Sequence, residues 1–114
     1  MRSLVVQLTT DDPEKVAAAL TVGMTAAASG ADVALWLSGP ASWFAVPGRE
    51  PAYDLPHAPD LTEALDVIGS VRVCSQCAAR RGLQDADLRP GTAIAGATTL
   101  VEALLADGAQ ALTY

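Results

Sequence analysis

The sequence predicts an α/β protein built on a doubly wound, mainly parallel five-stranded sheet with helices on both faces. Three observations lead there. Short runs rich in Val, Leu and Ile alternate with longer stretches whose apolar residues recur at steps of three and four. The resulting order is strand, helix, strand, helix, helix, strand, helix, strand, helix, strand, an alternation that marks parallel strands joined by crossover helices. The apolar share is 51%, drawn mostly from Ala, Val and Leu, and such small side chains suit close helix-to-sheet packing.

The first strand is Leu4–Leu8, a nearly continuous apolar run of the kind that is buried on both faces. Asp11, with Glu14 three residues later, reads as a capping box, and Pro13 is tolerated in the first helical turn. The helix that follows presents Val16, Leu20, Met24 and Ala27 on one face and stops at Gly30. Met24 reads as a core gap-filler. The run 31–37 is the second strand, with Trp36 expected in the core. Strand, helix and strand make a right-handed βαβ unit.

From Ser38 to Asp60 the chain turns proline- and glycine-rich. One helical turn is expected at 41–46, carrying Trp43 and Phe44, and loop elsewhere. A loop of this length following the carboxyl end of a strand is a candidate lid or oligomer contact. His57, the one histidine of the chain, lies in it. It reads as an exposed loop residue, with a lid or proton-donor role near Cys74 as the alternative.

Asp60 and Glu63 form a second capping box, before Leu61, Ala64, Leu65 and Ile68 on one helix face, and Gly69 ends that helix. The strand 70–73 then runs into the cysteine segment. Further on, 91–96 reads as a strand of small residues. Thr99 and Glu102 read as a third capping box for a helix over 100–106, and 110–113 reads as the last strand.

The 114 residues show neither a linker nor an internal repeat, so one domain spanning 1–114 is expected. The net charge is −6, and of seven Lys and Arg residues only Arg80 and Arg81 are adjacent. Nucleic-acid binding, which needs clustered cations, is not expected. No apolar run approaches the roughly 18 residues that span a bilayer, and no signal-peptide pattern precedes the first strand. A cytoplasmic protein that does not engage membranes is expected. The apolar excess suggests surface left over for self-association.

Both cysteines lie in Val73-Cys74-Ser75-Gln76-Cys77-Ala78-Ala79-Arg80-Arg81-Gly82. The strand is expected to end at Cys74 and a short helix to begin at Ser75 and close at Gly82. A thiol at that junction meets outward-pointing N–H groups, here those around Gln76 and Cys77, which lower thiol pKa values and stabilise an anion. Arg80 and Arg81 add weaker positive potential from further along.

Cytosolic cysteines at this spacing are catalytic, redox-active or metal-binding more often than structural. Four readings stand. Cys74 is a nucleophile for sulfane sulfur, with Cys77 optional. The pair is a dithiol–disulfide couple, although Ser75-Gln76 lacks a Gly-Pro turn. It is half of a metal site, which would need a carboxylate such as Asp85 or Asp87 to complete it; no metal and no cofactor is expected. Or both thiols are inert and pack the junction.

The spacing Val-Cys, five residues, Arg-Arg-Gly resembles the sulfur-relay proteins of the DsrE/DsrF/TusD type. Asp12-Pro13 after the first strand, the segment Gly23–Gly30 leading into Ala31-Asp32-Val33, and Arg89-Pro90-Gly91 before Ile94-Ala95-Gly96 agree with that pattern. The resemblance covers nearly the whole chain. It implies a flavodoxin-like sheet, a homo-oligomer (trimer or hexamer), and a sulfurtransferase or sulfur carrier that exchanges persulfide sulfur with a protein donor or acceptor. By position Cys74 matches the relay cysteine. Cys77 is an extra thiol where these proteins carry a small apolar residue; it could resolve a persulfide on Cys74. The contrasting class is a non-enzymatic oligomeric binding module.

Overall fold

The computed structural model describes residues 2–50 and 55–114. Among them, five strands form one sheet in the order β4-β3-β2-β1-β5. Every neighbouring pair is parallel, so the sheet is wholly parallel. The strands are β1 Ser3–Leu8, β2 Asp32–Leu37, β3 Ser70–Cys74, β4 Thr92–Ala95 and β5 Ala109–Thr113. The helices are α1 Pro13–Ala28, α2 Leu61–Ile68, α3 Ser75–Arg80 and α4 Ala97–Leu104, with 3₁₀ segments at Gly39–Ala45 and Asp85–Asp87. The alternation expected from the sequence is present.

The core lies mainly on one face of the sheet. Leu8 pairs in register with Leu37, Leu37 with Val73, and Val73 with Ile94, a single apolar row across four strands. Against that face pack Val16, Ala19 and Leu20 of α1 and Leu61, Ala64, Leu65 and Ile68 of α2. Leu8, Leu20, Leu35 and Leu37 are fully buried, each contributing about 2 kcal/mol of transfer free energy. Met24 is half-buried against this cluster and Trp36 is buried, both as expected. Strands β1 to β4 are added in one direction, so right-handed crossovers put α1, α2 and α3 on the same side. The return from β4 to β5 reverses direction and puts α4 on the other side, where Val5 and Trp36 are buried. Helix α4 has no buried residue.

Two local expectations are corrected. The α1 cap is Asp12, not Asp11: its carboxylate accepts from the Lys15 N–H at 3.2 Å, and Pro13 takes the first helical position. Proline has no N–H to cap, so the residue directly before it is the natural cap. Helix α4 begins at Ala97 after Gly96, with no side-chain cap, so Thr99 lies inside the helix. The short β4 leaves those residues free to enter the helix early.

The helical turn expected at 41–46 is present in the segment that follows β2. The first part of that segment is a 3₁₀ helix whose Ala41, Ser42, Phe44 and Ala45 are buried in the core. This segment packs against β2, β3 and α3, where its apolar residues leave water. Residues 51–54 of the expected loop lie outside the described residues. At α2, the Asp60 carboxylate accepts from the Glu63 N–H at 3.0 Å, as expected. No helix among the described residues is long and apolar enough to cross a membrane.

Candidate functional site

The junction of β3 and α3 falls where the sequence puts it. Val71 and Val73 are buried in β3, and the strand ends at Cys74, in register with Ala95 of β4. Cys74 is the N-cap residue of α3, so Cys77 occupies the third helical position. Side chains at these two positions face each other, which is why a capping box uses them. Here two thiols take those places. The helix ends in a glycine-dependent cap. Gly82 has φ +66°, the Leu83 N–H donates to the Ala78 carbonyl at 2.9 Å, and the Gly82 N–H donates to the Ala79 carbonyl at 3.2 Å.

The two thiols differ in surroundings. Cys74 is half-buried and Cys77 is buried; both are free. Cys77 Sγ accepts the backbone N–H of Gly39 at 3.3 Å. Arg80 Nη1 lies 3.9 Å from the same sulfur. Burial alone pushes the Cys77 thiol up. The Gly39 hydrogen bond, the neighbouring Cys74 thiol and the charges of Arg80 and Arg81 outweigh it, and the thiol is held below its ordinary value.

These contacts redistribute the expected roles. The Cys74 side chain makes no cap hydrogen bond with α3. The anion donor is Gly39, from the opposite loop, and it serves Cys77. With only six residues in α3, Arg80 sits one turn after Cys77 and reaches back to it, while Arg81 donates to the Cys77 carbonyl at 3.2 Å. Ser75 and Gln76 occupy the first helical positions, half-buried and exposed respectively.

His57 is exposed at φ +64°. The hydrogen bonds of Cys77 Sγ run to Gly39 and Arg80, not to His57. Asp85 and Asp87, weighed as metal partners, serve local structure. Asp85 accepts from the Ile94 N–H at 3.2 Å, and Asp87 accepts from the Gln84 N–H at 2.8 Å. Among the described residues no three His, Cys, Asp or Glu side chains converge on a common point.

Gly39 was not singled out from the sequence. The signal was present: a Gly-Pro pair lies one residue past β2, and Leu37 pairs with Val73, so the turn must sit beside the cysteine junction. Gly39 has φ +55°, and a Cβ there would lie 2.9 Å from the Thr9 carbonyl oxygen. Only glycine fits both the conformation and the space.

Comparison with known proteins places the chain. A search of curated proteins finds no match. Among solved structures, the YchN protein from E. coli superposes with a TM-score of 0.78 at 21% identity, over 100% of both chains. The protein of unknown function MTH1491 from Methanobacterium thermoautotrophicum superposes with a TM-score of 0.73 at 14% identity, again over 100% of both chains. These likenesses establish the shared fold. The model of the DsrE/DsrF-like family matches residues 1–114, and the chain therefore belongs to the DsrE/DsrF-like family.

Proposed function

We propose that this protein is a sulfur carrier or sulfurtransferase that holds sulfane sulfur as a persulfide on Cys74. The observation that carries the reading is the pair of free thiols at the cap and third helical position of α3, at the carboxyl end of β3, with Cys74 the more exposed member. Attack on sulfane sulfur needs an accessible thiol and a nearby group to take its proton. Family membership supports the chemistry. Cys77 can then resolve the persulfide. Its thiolate attacks Cys74 Sγ, the Cys74–Cys77 disulfide forms, and hydrosulfide leaves.

Exposed Val101 and Leu105 on α4, with Leu112 on β5, support assembly into a homo-oligomer and contact with a protein donor or acceptor. A cytoplasmic setting, where thiols stay reduced, fits two free cysteines three positions apart.

Intact mass after incubation with thiosulfate or polysulfide tests the reading. A gain of about 32 Da in wild type and in Cys77→Ser, absent in Cys74→Ser, is the expected result. The closeness of the two thiols favours dithiol–disulfide exchange as the second reading. A loss of about 2 Da in wild type, with no adduct in any form, would select it.

A further inference from the structure

We propose that the sulfur donor, a persulfide R–S–S–H, reaches Cys74 through a crevice between the carboxyl ends of β3 and β4, and that Gly96 is the specificity-determining residue of that crevice. The chemistry rests on the sulfur-carrier reading; the route of entry and the residue that governs it are additions to it.

The topology supplies the crevice. Strands β3 and β4 are neighbours, and Cys74 pairs in register with Ala95. The chain leaves β3 into α3 on one side of the sheet and leaves β4 into α4 on the other. Among the described residues no other neighbouring strands part in this way. Ligands of open parallel sheets bind where they do, outside the carboxyl ends. Val73 and Ile94 pair on the core face, so by alternation Cys74 and Ala95 lie on the α4 side. Toward β2, the flank of the junction is filled. The 3₁₀ segment packs there against β2, β3 and α3, and its Gly39 N–H meets the sulfur of Cys77. Toward β4, the flank is formed by Ala95 and Gly96, both half-buried, as is Cys74.

Nothing in the backbone requires a glycine at position 96. Its φ of −85° and ψ of 170° suit any residue. Beyond its chain neighbours, a Cβ there would find one atom within 4 Å, Ser75 Oγ at 3.8 Å, an ordinary contact. The position precedes α4, where Ser, Thr, Asp or Asn commonly supplies a cap, and α4 has no side-chain cap. Gly39 differs on both counts, since its φ and the Thr9 carbonyl oxygen exclude a side chain. What glycine provides at 96 is open space beside Ser75, the residue next to Cys74.

That space serves the transfer step. Cys74, ionised by loss of its proton to water, attacks the terminal sulfur of R–S–S–H. A bond forms from Cys74 Sγ to that sulfur, the S–S bond of the donor breaks, and its electron pair leaves on R–S⁻. Cys74 becomes Cys–S–S–H, and charge and protons are conserved. The leaving sulfur departs on the side opposite Cys74, so R runs out along the crevice past Gly96. The room at Gly96 therefore limits the bulk that R carries next to its sulfur.

The test compares alkylation of Cys74 by a slim reagent, iodoacetamide, and a bulkier one, N-ethylmaleimide, in wild type, Gly96→Ala and Gly96→Leu. Fragmentation of the tryptic peptide 73–80 separates Cys74 from Cys77. Gly96→Leu should slow the maleimide about tenfold or more, the order of loss that displaced reacting groups bring, and iodoacetamide distinctly less. Gly96→Ala should shift the ratio of the two rates the same way by a smaller factor, with the urea midpoint of wild type; it carries the test if the leucine variant does not fold. A change in thiol ionisation or in fold would move both reagents together. An unchanged ratio in Gly96→Ala and in any folded Gly96→Leu overturns the proposal. Polysulfide loading separates the two readings. No mass adduct on wild type, with the rate ratio shifted as expected, sinks the sulfur-carrier reading and leaves the crevice. An adduct that forms equally fast on wild type and Gly96→Leu sinks the crevice and leaves the carrier.

Discussion

Gly39 and Cys77 lie 38 positions apart, yet the backbone N–H of one donates to the sulfur of the other at 3.3 Å. The contact joins the turn after β2 to the helix after β3. Stability and reactivity of the site are therefore coupled through a single turn.

Stability should depend on pH through Cys77. Its folded value is held below the ordinary thiol value, so the folded state binds the proton less tightly than the unfolded chain. Stability contributed by this group is lost as pH falls through the lowered value. It is fully present above the unfolded value of about 8.5. Urea unfolding at a series of pH values should show wild type gaining stability across that window relative to Cys77→Ser. Parallel curves for the two proteins would contradict the folded-state environment described for this thiol.

Gly39→Ala should destabilise the protein by at least about 2 kcal/mol, because it adds left-handed strain to a backbone clash. The readout is the urea midpoint at constant slope. A loss of a few tenths of a kcal/mol would mean that the turn relaxes freely and the Thr9 contact is not a constraint.

Arg89 ties the 3₁₀ segment to α2. Its Nε donates to the Phe44 carbonyl at 2.9 Å, Nη1 donates to Thr62 Oγ1 at 3.2 Å, and Nη2 pairs with Glu50 at 2.9 Å. The Arg89 side chain is 13% exposed and that of Glu50 49%. Arg89→Ala should cost about 2–3 kcal/mol through the charged hydrogen bond to a carbonyl. Glu50→Gln should cost no more than about 1 kcal/mol, since its partner is met at the surface. Thermal unfolding of both variants and of Arg89→Lys checks this. Arg89→Lys should resemble Arg89→Ala, because an ammonium cannot span three acceptors from one position.

Ser42 is fully buried, and its hydroxyl finds no hydrogen-bond partner among the described residues. Ser42→Ala should therefore stabilise the fold by about 1 kcal/mol. A destabilised variant in calorimetry would show that the hydroxyl makes a contact.

Local chemistry was legible in the sequence; contacts between distant segments were not. The strand ending at Cys74, the helix beginning at Ser75 and the glycine closing it follow from neighbouring residues, and all three appear. The Asp60 cap and the apolar face of α2 were readable for the same reason. Asp11 and Thr99 misled because several residues near each helix start could cap it, and proline and strand length decided between them. The helical turn near 41–46 was readable, but the burial of Ala41, Ser42, Phe44 and Ala45 was not, because it depends on packing against β2, β3 and α3. The Gly39–Cys77 contact depends on strand order, which no local pattern encodes.

The pairing of β1 with β5 has a consequence for how the protein is made. The Thr9 hydroxyl donates to the Tyr114 carbonyl across 105 positions of sequence. On a ribosome, β1 to β4 emerge first and can assemble with α1, α2 and α3. Until residues 109–113 follow, the outer edge of β1 offers a row of unpaired N–H and C=O groups to any passing strand. The vulnerable species in the life of this protein is thus a nascent chain complete in its core and open along its first strand. A chain stopped at residue 108 should scatter light at concentrations where the full-length protein stays clear.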